Sequence, residues 1–248
     1  MKKQRIKPWA VLLWLGLWQL AAMAVGRDIL LVSPAKVILR LMELGITALF
    51  WKSIAFSLCR IAAGFLLAAA SGTLLAVLAH RFASLRDFLS PAMRAVKATP
   101  VASFIILALV WFSSRNLSLL ISFLMVLPII YTNVLGGIED ADPGLNEMAR
   151  VFRIPPGRRL RYVLLPQVMP YFRAACSVAL GLCWKAGIAA EVIGMPGGSI
   201  GEQLQQAKVY LDTPDLFAWT ITIVLLSAVF ERIVLALMDA VCRRLEGM

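Results

Sequence analysis

The stretch Leu117–Leu135, LSLLISFLMVLPIIYTNVL, carries no charged side chain and decides the class of fold. A helix needs about 20 mostly apolar residues to cross the hydrocarbon core of a bilayer. The whole chain shares this character, because 60% of its 248 residues are hydrophobic and 16% are charged, with a mean hydropathy of +0.82. Globular chains average about 45–50% apolar and about 25% charged residues. The composition therefore predicts an all-α membrane protein and argues against a soluble enzyme or a disulfide scaffold.

Five further apolar stretches give about six transmembrane helices, in a single domain covering residues 1–248. The predicted spans are Pro8–Val25, Ile54–Ala79, Ala98–Phe112, Leu117–Leu135, Tyr171–Ile193 and Leu216–Met238. The third is short and has Pro100 near its start. The basic N-terminus followed by the first stretch resembles a signal peptide, but the apolar run of about 17 residues exceeds the usual length. We therefore expect a retained first helix.

Lysine and arginine are distributed unevenly between the two sides of the predicted membrane. Fifteen lie on the side of the N-terminus, in residues 1–7, 80–100, 138–170 and 239–248. Six lie on the other side, in residues 26–53, 113–116 and 191–215. Because cytoplasmic loops are enriched in Lys and Arg, both termini are predicted to be cytoplasmic. This topology accounts for most of the net charge of +11, so no nucleic-acid partner is expected.

The four cysteines and the single histidine do not suggest a metal site. Cys59, Cys176, Cys183 and Cys242 lack a CxxC pair or any metal-ligand spacing, and His80 has no second histidine. No metal is predicted.

A column of small side chains on the second span predicts close helix packing. Gly64, Ala68, Gly72 and Ala76 recur every fourth residue, and small residues allow helices to approach closely in lipid. The alternative is a chance pattern in an alanine-rich helix. Either way the column concerns packing rather than chemistry.

The longest inner loop, residues 138–170, contains a predicted amphipathic helix. Asp142 is suited to cap a helix that begins at Pro143. Four apolar side chains then fall at i, i+3, i+4 and i+7, on one helical face: Leu145, Met148, Ala149 and Phe152. The prolines of Arg153–Gly157 must break this helix. A second, basic helical piece, Arg158–Leu165, is expected to end at Pro166.

The first of these helices is too short to be stable alone, so its apolar face needs a partner. One possibility is that it packs against the ends of the chain's own helices. The other is that a groove of a second protein receives it.

The residues of this loop resemble the EAA loop of inner-membrane permease subunits of binding-protein-dependent ABC importers. That pattern has Glu-Ala-Ala, three residues, Gly, nine residues and then Ile-x-Leu-Pro. Here Glu147-Met148-Ala149 is followed at the same spacing by Val163-Leu164-Leu165-Pro166. Met148 replaces an alanine and Val163 replaces the isoleucine. Arg153 stands at the glycine position, and the next glycine is Gly157.

The resemblance extends along nearly the whole chain. Ser57–Phe65, Ala98-Thr99-Pro100 leading to Val110-Trp111-Phe112, and Ala190–Gly194 are similar to the nitrate, sulfonate and taurine branch of the family. The resemblance implies a type I importer fold, with a cytoplasmic EAA coupling helix, in the inner membrane of a bacterial cell.

The resemblance also implies partners. A cytoplasmic ATP-binding subunit, an extracytoplasmic solute-binding protein and a second permease copy, most simply in a homodimer, would surround this chain in the lipid. ATP and Mg would bind the partner, since this chain has no GxxxxGK[ST] motif, no cofactor of its own and no catalytic residue. The resemblance assigns coupling to Asn146, Glu147, Met148, Ala149, Arg150, Phe152, Arg153 and Gly157, with Val163, Leu165 and Pro166 at the motif's end.

Polar and aromatic residues within the spans are candidates for a translocation path, because ionisable groups at membrane depth usually face protein or water. The candidates are Arg60, Trp184, Lys185 and Glu191. A cation at Lys185 could hold an anionic substrate, although a salt bridge or a snorkelling side chain is an equal alternative. For Arg60, a structural salt bridge or a snorkelling side chain is favoured.

Two other classes of function are alternatives to an importer subunit. A stand-alone ion-coupled secondary transporter is the main alternative, but no inverted repeat is evident and intramembrane carboxylates are few. A membrane enzyme would need a nucleophile, base or metal constellation, and the sequence has none near one membrane face.

Overall fold

The computed structural model describes residues 7–27 and 29–246, and these residues form helices and turns with no strand among them. A single turn of π-helix, Leu160–Leu164, joins two of the α-helices without a break. The α-helices are α1 (Pro8–Val25), α2 (Pro34–Gly45), α3 (Ala48–Arg81), α4 (Ala83–Ala98), α5 (Val101–Trp111), α6 (Ser114–Glu139), α7 (Pro143–Val151), α8 (Pro156–Arg159), α9 (Leu165–Gly194), α10 (Ile200–Val209) and α11 (Thr213–Glu246).

Within these described ranges, four helical stretches are long and apolar enough to cross a membrane: α3, α6, the continuous helix Pro156–Gly194 and α11. The pair α4 and α5 would form a fifth, broken span. Helix α1 is shorter, and its 18 residues reach about 27 Å at 1.5 Å per residue. The protein is therefore a multi-pass, all-α membrane protein, as the sequence predicts.

The third predicted span, Ala98–Phe112, differs from the structure. Helix α5 has 11 residues and covers only about 16 Å, roughly half of the hydrocarbon core. Ala98 ends α4, whose axis makes an angle of 108° with α5. The break falls at Thr99, where the extended backbone (φ −79°, ψ 131°) suits a residue that precedes proline.

The small-residue column on α3 packs against α6, which confirms the predicted close approach. A Cβ atom added at Gly64 would lie 2.5 Å from the Leu119 carbonyl oxygen and 2.9 Å from the Cβ of Ser122. One added at Gly72 would lie 3.1 Å from the Cβ of Ile130. These distances leave no room for a larger side chain, so the column fixes the spacing of the two helices.

Helix α9 continues through the point where the sequence predicts a break. Pro166 was expected to end the preceding helical piece, but helix runs unbroken from Pro156 to Gly194. In a regular α-helix the Pro166 ring would clash with the carbonyl group four residues earlier. The π turn relieves this clash, since hydrogen bonding there reaches five residues back, from the Leu165 amide to the Leu160 carbonyl. Pro166 then falls in the first turn of α9, where proline is tolerated.

At the end of the bundle opposite to Pro166, side chains connect α2 to the start of α11. The Arg40 guanidinium binds both carboxylate oxygens of Asp215 and also bonds to Glu43. The hydrogen bond that Arg40 donates to Asp215, followed by the one to Glu43, raises the pKa of Arg40 above its usual value. The Thr213 hydroxyl donates to the Ile29 carbonyl at 2.8 Å, which fixes the segment before α2 as well.

Candidate functional site

The predicted helix in the inner loop is present as α7, and its first turn is capped as the sequence indicates. Asp142 precedes the helix, and its Oδ1 accepts a hydrogen bond from the Gly144 amide at 2.7 Å. Pro143 occupies the first helical position, where its missing N–H costs nothing. The cap satisfies one of the amide groups that a helix start leaves without a partner.

The end of α7 shows how Arg153 takes the place of the glycine in the family pattern. The Ile154 amide donates to the Ala149 carbonyl at 2.9 Å and the Arg153 amide to the Arg150 carbonyl at 3.0 Å. This pair of bonds is a Schellman motif, which requires a left-handed residue that is usually glycine. Arg153 adopts that conformation, with φ +48°. The turn expected of the glycine is thus kept at Arg153, and Gly157 lies inside α8 instead.

Side chains fix α7 to the start of the long helix that contains α9. The Arg159 guanidinium donates to the Asn146 side-chain oxygen at 3.0 Å. The Asp142 amide donates to the Gln167 side-chain oxygen at 2.7 Å, and Gln167 donates in turn to the Val163 carbonyl at 2.7 Å. A displacement of α7 would therefore be transmitted to α9.

Only a small part of the apolar surface of α7 is covered by the chain itself. Ala149 is buried, with 1% of its surface exposed. Four other apolar residues of α7 and its cap are exposed by 40%, 41%, 77% and 73%; these residues, named the α7 face below, are Leu145, Met148, Val151 and Phe152. Val151 was not part of the predicted stripe. Burial of Ala149 alone shows that packing against the chain's own helices accounts for one edge of the helix.

Charged residues surround the α7 face. Glu147, Arg150, Arg153 and Arg158 are all exposed. An apolar centre with a charged rim is the usual composition of a protein interface. Of the residues that end the motif, Val163 is buried, while Leu165 and Pro166 lie at the start of α9.

At the other end of α9, the structure buries Glu191 completely, with 0% of its surface exposed. The Ser57 hydroxyl donates to Glu191 Oε2 at 2.6 Å, and the Gly201 amide donates to the same oxygen at 3.3 Å. The Ile200 amide donates to the Ser57 hydroxyl at 3.0 Å. The carboxyl group therefore joins α3 and α9 to the amino end of α10, where a helix favours negative charge. This group of residues is named the Glu191 cluster below.

The Glu191 cluster is tightly packed. A Cβ atom at Gly201 would overlap the backbone and Cβ of Glu191. Among the described residues, Glu191 Oε1 and the buried Ser118 hydroxyl have no hydrogen-bond partner. The sequence analysis did not predict that Ser57 and Gly201 belong to the Glu191 cluster. Two features could have indicated it: a serine within an apolar span and a glycine near the start of a helix.

The four candidates for the translocation path have different surroundings. Trp184 is buried, and its ring packs edge-on against Phe230 with centroids 6.0 Å apart. Arg60 lies over the Phe56 ring at 3.9 Å and donates to the Arg115 carbonyl. Lys185 is exposed on α9. In a single protomer, Trp184 and Glu191 therefore border no open space, whereas Lys185 remains accessible.

Comparisons with known proteins agree on one family. The profile of the family described as binding-protein-dependent transport system inner membrane component matches residues 61–247. A protein described as an aliphatic sulfonates transport permease of Bacillus subtilis (strain 168) is 27% identical over 207 residues, covering 82% of this chain and 74% of that protein. The nitrate import permease protein of Synechococcus elongatus is 27% identical over 213 residues, covering 79% and 76%.

A solved structure shares the fold. An amino acid ABC transporter described as crystallised with histidines superimposes with a TM-score of 0.57 at 18% sequence identity. The match covers 84% of this chain and 96% of that one. The likeness extends over almost the whole bundle.

Proposed function

The chain belongs to the family of binding-protein-dependent transport system inner membrane components, and we propose that α7 is the helix on which its ATPase partner docks. Family membership makes the protein a permease subunit of an ABC importer, the non-catalytic component that works with an ATPase and a solute-binding protein. A stand-alone secondary transporter is thereby set aside.

The exposure of the α7 face carries this proposal. Four large apolar side chains in nine-residue α7 and its cap point away from the chain, while the helix is held from behind by Asn146 and Ala149. A helix presented in this way suits a groove that covers its apolar side. Phe152, exposed by 73%, is the anchor we expect to enter the deepest part of that groove.

The attachment of α7 to α9 supports a mechanism of coupling. ATP and Mg bind the partner, and closure of the partner subunits displaces α7. The Arg159–Asn146 and Gln167–Asp142 hydrogen bonds pass this displacement to α9, which extends to the opposite membrane face. Transmission requires that the partner binds α7 differently in its two states.

The distribution of charge supports the orientation. Positive charge is concentrated on the side of α7, so we place α7 and both termini in the cytoplasm and the protein in the bacterial inner membrane. The single domain of residues 1–248 pairs with a second copy of itself, and the solute-binding protein approaches from the side of α10.

We infer that the substrate is a small anion. The relatives named for sulfonates and for nitrate support this class. Lys185 lies nine residues, about 13 Å, inside the end of α9 and is exposed in the protomer. Because a lysine facing lipid at such depth is costly, about 3 kcal/mol at the bilayer centre, we place its ammonium toward the path between the two copies.

The docking role is tested with two phenylalanines of equal exposure. Phe152 lies on the α7 face, and Phe88 on α4 is exposed by 75%. Phe152→Ala is expected to weaken copurification of the ATPase in mild detergent by tenfold or more, since anchors contribute about 2 kcal/mol or more to binding. Phe88→Ala should leave copurification unchanged. Equal retention of the ATPase by both variants would contradict the proposal.

The substrate class is tested on the cognate solute-binding protein and on Lys185. Ligands released from that binding protein are expected to be anions. Lys185→Arg should retain transport, whereas Lys185→Met should reduce it at least tenfold with normal ATPase copurification. A neutral ligand, or full transport by Lys185→Met, would refute the inference.

A further inference from the structure

A cavity of about 380 Å³ lies between α9 and α11, at the end of the bundle that carries α7. Its volume falls within the range of about 300–1,000 Å³ that is typical of small-molecule sites. One wall is apolar and the other carries charge; the lining residues are Pro166, Met169, Pro170, Arg173, Asp239, Cys242 and Arg243. None of them belongs to α7 or to the Glu191 cluster.

The position of the cavity along α9 places it at the edge of the membrane. Arg173 precedes the last residue of α9, Gly194, by 21 residues. At 1.5 Å per residue this is about 32 Å, close to the thickness of about 30 Å for the hydrocarbon core. With Gly194 at the opposite edge of the hydrocarbon core, this length places Arg173 where acyl chains give way to headgroups.

The charged wall has one more cation than anion. Arg173 donates from Nε and Nη2 to the two carboxylate oxygens of Asp239, at 2.6 and 3.2 Å. This pair orients the guanidinium and leaves Nη1 for another acceptor. Arg243 is exposed on the rim of the same cavity, and within the described part of the chain it makes no hydrogen bond or ion pair. An anion at the cavity would thus meet two guanidinium groups, one of them pre-oriented.

We propose that this cavity binds the headgroup of an anionic phospholipid. The phospholipid belongs to the membrane leaflet on the side of α7. The phosphate lies between Arg173 Nη1 and Arg243, and the glycerol and upper acyl chains lie against Pro166, Met169 and Pro170. Guanidinium groups match phosphate in charge and geometry, and basic pockets between membrane helices on the cytoplasmic side accept such headgroups. The lipid would brace the junction between α9 and α11.

The test uses the assembled transporter in nanodiscs with photoactivatable lipids. One set of nanodiscs contains a phosphatidylglycerol probe and the other a phosphatidylcholine probe. Cross-linked peptides are quantified by mass spectrometry. The phosphatidylglycerol label is expected to concentrate in residues 166–173 and 239–243, and the phosphatidylcholine label is not.

Two variants remove one positive charge each. Arg243→Gln is expected to lower the phosphatidylglycerol label in these segments about fivefold, the equivalent of about 1 kcal/mol for one arginine near a membrane surface. Arg94→Gln, on exposed α4, is the matched control and should leave the label unchanged. Met169→Trp fills the cavity without a change of charge and should also lower the label.

Three results would overturn the proposal. One is equal labelling by the zwitterionic probe, and another is an unchanged label in both Arg243→Gln and Met169→Trp. The third is displacement of the label by soluble glycerol phosphate, which would assign the cavity to a free phosphate compound.

Discussion

Arg153 shows how a departure from a sequence pattern can leave a turn intact. Its φ of +48° is the left-handed conformation that closes the Schellman motif at the end of α7. A side chain with a Cβ atom adopts this conformation at a cost of about 1 kcal/mol relative to glycine. The motif is therefore formed with strain at one residue.

Arg153→Gly should relieve that strain and make α7 more stable. Hydrogen exchange of the amides of residues 152–154 is expected to slow about fivefold, which corresponds to about 1 kcal/mol. Arg158→Gly, which also removes a positive charge but lies in α8 without a positive φ, should not slow their exchange. Faster exchange in Arg153→Gly would show that the arginine side chain itself stabilises the turn.

Gly64 marks the closest approach of α3 to α6. In Gly64→Ala the new Cβ atom would lie 2.5 Å from the Leu119 carbonyl oxygen, so the helices must separate. Overpacking of this kind costs about 1–3 kcal/mol. Gly64→Ala should therefore lose its monodisperse state at a lower temperature than the wild type. The measurement is the fraction of monodisperse protein that remains after heating in detergent.

Gly136→Ala on α6 is the control for this substitution. No atom lies within 4 Å of a Cβ built there, and alanine favours helix by about 1 kcal/mol over glycine. Its stability should equal or exceed that of the wild type. If both variants have the same heat resistance as the wild type, the α3–α6 contact is looser than described.

Among the helical elements, α10 depends on one carboxyl group. Glu191 accepts hydrogen bonds from the Ser57 hydroxyl and the Gly201 amide, and both donors are buried. Glu191→Ala leaves them without an acceptor, at about 1–3 kcal/mol for each donor. Hydrogen exchange of α10 amides should therefore accelerate at least tenfold.

Glu191→Gln removes the negative charge of the side chain but keeps an oxygen that can accept hydrogen bonds. The amide oxygen can replace Oε2, and the NH2 group takes the place of Oε1, which has no hydrogen-bond partner. Exchange in α10 should stay within about threefold of the wild type. Lys208→Ala, on an exposed part of α10, is the control and should have no effect. Acceleration as large in Glu191→Gln as in Glu191→Ala would mean that the charge, rather than the acceptor, holds α10.

An element could be predicted from the sequence when the residues that determine it are close together in the chain. The start of α7 was predicted because Asp142 and Pro143 act within one turn. The sequence did not predict that the helix continues through Pro166, because this continuity depends on a π turn whose hydrogen bonds reach five residues back. Burial of Glu191 was also missed, since its donors come from α3 and α10, which are distant in sequence.

For the whole molecule, hydropathy located the spans but could not give their shape. Apolar composition predicted a span at Ala98–Phe112, yet α5 has only 11 residues and the chain bends by 108° at its start. Which apolar residues of α7 remain exposed is likewise decided by packing, because Leu145 and Ala149 belong to the same predicted stripe and only Ala149 is buried. In the proposed mechanism, the exposed α7 face and the continuous helix behind it would connect a cytoplasmic partner to the opposite membrane face.

That connection is tested most directly at position 152. Phe152→Cys is introduced after the four native cysteines are replaced, and a membrane-impermeant maleimide is applied to right-side-out and inside-out vesicles. The account predicts labelling in inside-out vesicles only, and protection of the thiol when the ATPase subunit is present. Labelling from the outside, or full labelling in the assembled transporter, would contradict it.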